Sequence, residues 1–191
     1  MRATIFTTPI LKTIFKYIAR VILFLVGWKT VGEVPVKKRF VLIGAPHTSN
    51  WDFILMLLIV LDKGVAVHWM GKDSLFPWPF KGFMQWLGGI AVDRSQANNT
   101  VEQVATHFSQ HQELIIIIPP EGTRSKASRW KTGFYYIAET AQVPIVLGFI
   151  DAAKKEVGIG PEFQTTGDID VDLPEIQAFY KTKRALRPES F

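Results

Sequence analysis

The chain has 191 residues, 48% hydrophobic and 20% charged, which fits one domain with a real core and is greasy for a soluble protein. It contains no cysteine, which excludes disulfides and thiol catalysis. A net charge of +5 and a pI near 9.5 suit anionic partners. With no basic arm or zinc pattern, a membrane surface or phosphorylated substrate is favoured over nucleic acid.

Residues Pro9 to Lys29 are predicted to form one helix. Lys12, Lys16 and Arg20 make a basic stripe on it, and Leu11, Ile14, Phe15, Ile18, Val21, Ile22 and Leu25 line the opposite side. Such a helix can lie in a bilayer interface or pack on its own domain, and amphipathicity alone does not separate the two. Its longest apolar run, Val21 to Trp28, is far below the ~20 residues needed to span a membrane. The charges reach Arg20 and no Ala-x-Ala-like site follows, so a cleaved signal peptide is not expected.

After a linker around 31–38, the apolar run Arg39 to Pro46 reads as a buried strand closed by Gly and Pro, and Trp51 to Leu61 as a helix. His47 falls in the turn between them. Side chains five positions apart are roughly 140° apart on a continuous helix, so His47 meets Asp52 only if it precedes the helix and Asp52 lies in the first turn. Asp52 would then fix the imidazole tautomer and leave the other nitrogen to take a proton from a substrate hydroxyl. The alternative is that Ser49-x-x-Asp52 is only a capping box.

Val65 to Met70 reads as a second strand, with His68 a strand residue. Lys72 follows at its end, placed to reach a phosphate or simply solvated. Phe76-Pro77-Trp78-Pro79-Phe80, with Phe83 and Trp86, suits a membrane interface, a tunnel mouth or core packing. Gly88 to Val92 is a short strand delivering Asp93 and Arg94. Asn99 to His111 reads as a surface helix whose His107 and His111 face solvent rather than a metal. Leu114 to Ile118 is a strongly apolar strand that opens into Pro119-Pro120-Glu121-Gly122-Thr123-Arg124-Ser125, as functional loops do at strand ends. Lys126, Arg129 and Lys131 extend a basic rim. A helix capped by Thr132 follows to Ala141, then a strand from Val143 to Ile150, a hairpin return near Glu156, a helix started by Asp172 and Pro174, and a disordered end.

Strands alternating with helices predict a single α/β domain with a mixed or largely parallel sheet, helices on both faces and an N-terminal amphipathic helix. The chain divides as a membrane-interface helix over 1–30 and a catalytic domain over 31–191. The His47, Arg94 and Arg124 loops should share one sheet edge. No Walker loop, Gly-x-Gly-x-x-Gly or Gly-x-Ser-x-Gly elbow is present, which argues against nucleotide binding and a serine hydrolase.

In this order and spacing, His47/Asp52, Gly89 to Arg94, Pro120 to Ser125 and Val143 to Val146 resemble the four motifs of the glycerolipid acyltransferase family, which includes 1-acylglycerol-3-phosphate acyltransferases. The chain departs from the pattern at Pro119, where many members carry Phe, and at Leu147-Gly148 after the fourth block. The resemblance implies His47 as general base and Asp52 as its orienter. It also implies Arg94 and Arg124 on an acidic head group, and Glu121, Gly122 and Thr123 in the acceptor pocket, with Lys72 added from the reading above. It further implies an acyl-CoA or acyl-carrier protein donor, a lysophospholipid acceptor, no cofactor or metal, and a peripheral or monotopic place on the cytoplasmic face of a membrane. A membrane-surface binding protein without catalysis is the reading of a different class.

Overall fold

Seven strands, β1 (Lys29–Val31), β2 (Arg39–Ala45), β3 (His68–Lys72), β4 (Gly89–Val92), β5 (Leu114–Ile118), β6 (Ile145–Asp151) and β7 (Glu156–Phe163), form one sheet in the order β1-β7-β6-β2-β5-β3-β4. The computed structural model describes residues 3–93, 97–122 and 129–190, without the side chains of 97–99 and 190. Strands β6, β2, β5, β3 and β4 run parallel; β7 returns antiparallel to β6, and β1 is parallel to β7. The sheet is therefore largely parallel, as expected from the alternation of strands and helices. A parallel strand covered on both faces needs an unbroken apolar run, and Leu114-Ile-Ile-Ile-Ile118 provides one.

Alternation along β2 divides the core. Phe40 and Leu42 face α1 (Leu11–Val26) and α2 (Asn50–Lys63), with Trp86 of the short α3 (Lys81–Trp86) at the margin. Val41, Ile43 and Ala45 face α4 (Ala97–Gln110), α5 (Gly133–Ala141) and α6 (Ile169–Tyr180).

Several boundaries differ from the sequence reading, each for a local reason. Helix α1 ends at Val26, not Lys29. Gly27 takes the left-handed conformation at φ 74°, and Trp28 N–H returns to Leu23 O at 2.8 Å, a Schellman closure. Helix α2 closes the same way through Gly64, with Val65 N–H on Val60 O at 2.8 Å. Val65, in that closure, and Val67 are buried, Ala66 is half-buried, and β3 starts only at His68. Helix α6 begins at Ile169, before the expected Asp172, because Asp168 caps it by accepting Asp170 N–H at 3.0 Å. Thr132 precedes α5, but its side chain makes no capping bond. Residues 185–190, expected to be disordered, hold defined structure: Ala185 is buried, Leu186 packs on the α1/α2 core, and a 3-10 turn spans Pro188–Ser190.

Helix α1 packs through a narrow stripe. Phe15, Ala19 and Leu23, at i, i+4 and i+8, meet the core beside the basic stripe, and Arg20 Nε pairs with Asp62 Oδ1 at 2.9 Å. Ile14, Ile18, Val21, Ile22 and Leu25, of the apolar side that could face a bilayer or pack on the domain, are exposed together with Tyr17 and Phe24. Residue 30 lies inside β1, so the division of the chain at 30/31 runs through a strand of the sheet.

Candidate functional site

The carboxyl ends of β2, β5 and β3 meet at one edge, the position where open parallel sheets bind ligands. His47 leaves β2 there, two residues before Ser49 caps α2. Ser49 Oγ accepts Trp51 N–H at 3.0 Å, while Asp52 Oδ2 accepts Ser49 N–H at 2.6 Å and also Thr48 N–H. That is a capping box. The same Asp52 Oδ2 stands 3.6 Å from His47 Nδ1. Cap and imidazole partner, separate possibilities in the sequence, are one carboxylate. Asp52 is 1% exposed, and its Oδ1 has no hydrogen-bond partner among the described residues.

A second carboxylate reaches the turn from β5. Glu121 Oε1 accepts the His47 main-chain N–H at 3.0 Å, and Oε2 is buried with no hydrogen-bond partner among the described residues. Burial pushes the Glu121 carboxyl up to about 7; the main-chain N–H groups of Glu121 and His47 oppose the rise and the charge of Asp52 adds to it. Gly122 follows at φ 66°, and a Cβ there would stand 2.9 Å from Lys131 Cγ. Glycine is thus required both by backbone angle and by the lysine stem. Gly122 N–H is engaged by Pro119 O at 3.2 Å, and Lys131 N–H by Pro120 O at 2.6 Å, which ties this loop to the entrance of α5.

A cavity of about 730 Å³ opens at this edge. Phe53 and Met56 of α2, Trp69 and Met70 of β3, Ile117 and Ile118 of β5, and Phe134 and Ile137 of α5 make it mostly apolar. His47, Asp52, Thr100, Lys131 and Thr132 are its polar lining. His47 also bounds a second hollow of about 530 Å³ with Asn50, Trp51, Phe53 and Ile54. One imidazole, its side chain 23% exposed, thus borders two spaces.

Of the site residues read from sequence, the structure brings together His47, Asp52, Glu121 and Gly122. Lys72 is exposed at the end of β3 and does not line the cavity. Arg94, Thr123 and Arg124 lie outside the described residues, as do Ser125 and Lys126. Lys131, read only as part of a basic rim, lines the cavity. Its proximity to Gly122 is a tertiary contact for which spacing gives no signal. Phe53 and Met56 were legible as an i, i+3 pair on the helix that His47 introduces.

The family model described as Acyltransferase matches residues 29–147, and the chain belongs to that family. The 1-acyl-sn-glycerol-3-phosphate acyltransferase of Escherichia coli (strain K12) is 33% identical over 122 residues, covering 60% of this chain and 48% of that protein. The protein of the same name from Salmonella typhimurium is 37% identical over 109 residues, covering 53% and 43%. The chain spans about half the length of the curated relatives it matches. The crystal structure of the 1-acyl-sn-glycerophosphate (LPA) acyltransferase PlsC from Thermotoga maritima shares the fold, with a TM-score of 0.60 at 15% identity over 90% of this chain and 77% of that one.

Proposed function

We propose that this protein transfers a fatty acyl group from an acyl thioester to the hydroxyl of a lysophospholipid, with 1-acylglycerol-3-phosphate as the acceptor its relatives' names favour. The observation that carries this reading is the His47 imidazole lining a mostly apolar cavity, its Nδ1 backed by the buried Asp52 at 3.6 Å. With Nδ1 facing the carboxylate, Nε2 is the nitrogen assigned to the substrate hydroxyl. The acceptor O–H gives its proton to Nε2 as the oxygen attacks the thioester carbon. The C–S bond then breaks, and the departing thiolate recovers the proton from the imidazolium, with no acyl-enzyme. Lys131, which lines the same cavity, is the positive charge assigned to the developing oxyanion. The thioester is already activated, so the chemistry draws on no cofactor, and acyl-CoA or acyl-carrier protein fits as donor. Arg94 and Arg124, with Thr123, take the acceptor phosphate by family resemblance.

The test is thiol release from a long-chain acyl-CoA. Release should rise on addition of 1-acylglycerol-3-phosphate and fall strongly when that acceptor lacks its phosphate. Release indifferent to acceptor would make the protein a thioesterase.

The site works at the cytoplasmic face of a membrane in this proposal. No helix among the described residues is long and apolar enough to cross a bilayer. However, the end of α1 carries Phe24 and Leu25 at 81% and 74% exposure. It is tied to the β6–β7 turn at the active edge, where Lys29 N–H meets Lys155 O at 2.9 Å. Trp51, Phe53 and Trp78 are exposed after the carboxyl ends of β2 and β3. Replacing Phe24 and Leu25 by Ser should release the protein from anionic vesicles in co-sedimentation; unchanged binding would refute the placement.

A further inference from the structure

The family match ends at residue 147, yet the chain returns to the His47 turn far beyond it. After α6, Lys183 N–H closes on Tyr180 O at 2.9 Å and the backbone crosses the carboxyl edge of the sheet. At the end of β6, Arg184 N–H donates to Asp151 Oδ1 at 3.4 Å, and Arg184 O accepts Ala152 N–H at 2.8 Å. Ala185 is buried, and Leu186 packs against the α1/α2 core. Arg187 N–H then donates to Thr48 Oγ1 at 3.2 Å.

Thr48 stands between the two reacting-end groups. It is 3% exposed, it follows His47 directly, and its own N–H donates to Asp52 Oδ2. The turn is therefore held from three directions: by Asp52 of α2, by Glu121 after β5 and by the main chain of Arg187. The first two holds lie within the family-matched residues and the third does not. A proton acceptor works only while its nitrogen stays aimed at the hydroxyl, and small misplacements of such a group cost rate rather than binding.

We propose that Arg184 to Arg187 form a strap that fixes the His47 turn through Thr48. This makes the Thr48 hydroxyl and the Arg187 N–H positioning groups for acyl transfer, an inference that rests on the function proposed above. The strap acts through the main chain, so the informative substitution is Arg187→Pro, which deletes the N–H and keeps the chain. Arg187→Ala removes the side chain and keeps the N–H. Thr48→Val deletes the hydroxyl, and Thr48→Ser restores it.

Arg187→Pro and Thr48→Val should each lower kcat for acceptor-dependent thiol release about five- to tenfold, with KM for both substrates within about twofold. Arg187→Ala and Thr48→Ser should stay within about twofold of wild type. The double variant Arg187→Pro/Thr48→Val should be no slower than either single one, because both break the same bond. A second readout needs no substrate: amide hydrogen exchange at Thr48 and Ser49 should quicken in Arg187→Pro, with exchange in β5 unchanged. Quickened exchange in a protein that transfers no acyl group would support the strap and overturn the acyltransferase reading alone. Unchanged kcat and exchange in Arg187→Pro, or losses that multiply in the double variant, would overturn the strap.

Discussion

Imidazoles lie at two opposite edges of the sheet, and among the described residues only one of the two places joins a histidine to buried carboxylates and a cavity. At the carboxyl edge a single His47 is held by two buried carboxylates and opens onto a cavity. Toward the amino edge His68 opens β3, buried, while His107 and His111 close α4 with ring centroids 6.5 Å apart. Burial lowers His68 to about 4, and the charges of His111 and His107 add to the effect. Burial also lowers His107. Among the described residues no group of three or more His, Asp or Glu side chains could hold a metal ion. A histidine becomes a base through an acidic partner and an opening to substrate. Burial among other imidazoles only makes protonation costly.

The largest effect that would sharpen this contrast is on His47. His47→Ala should lower acceptor-dependent turnover about a thousandfold, within the range that general base catalysis supplies, while the protein stays folded. Next comes Asp52→Asn, which keeps an oxygen for the cap but removes the charge facing Nδ1. Turnover should fall about ten- to hundredfold, with stability changed by no more than about 1 kcal/mol. A much larger loss of stability would show that the carboxylate serves the fold more than the imidazole.

The two edges also set opposite pH limits on stability. His68, at about 4 in the fold against an ordinary 6.5, keeps its full contribution above 6.5 and loses it as pH falls through 4. Glu121, at about 7 against an ordinary 4.5, contributes fully below 4.5 and loses that contribution as pH rises through 7. Each limb is worth up to about 3 kcal/mol. Thermal unfolding of His68→Gln should therefore decline less steeply than wild type between pH 6.5 and 4, and Glu121→Gln less steeply between 4.5 and 7. Parallel profiles for wild type and variant would remove that residue as the cause.

Much of the active edge was legible because it is local. The His47/Asp52 spacing, the apolar β5 and the glycine after Glu121 all express constraints within a few residues, and the parallel order of strands follows from their alternation with helices. The expectation that His107 and His111 face solvent met half-buried rings, since α4 turns that end toward β3. Hydrophobic periodicity found α1 and its apolar arc but not which part of that arc packs. The core accepts a narrow Phe15, Ala19 and Leu23 stripe, leaving the wider apolar arc outside. The strap was invisible because it is held by main-chain bonds, which have no residue signature. Lys131 and Lys72 were indistinguishable as basic residues at element ends; the tertiary structure separates them, bringing Lys131 to the cavity and to Gly122.

The most direct measurement is acceptor-dependent thiol release at neutral pH from His47→Ala and His68→Gln side by side. Release should disappear in the first and stay within about threefold of wild type in the second. Retained release in a folded His47→Ala protein, or equal loss in both, would contradict the role assigned to His47.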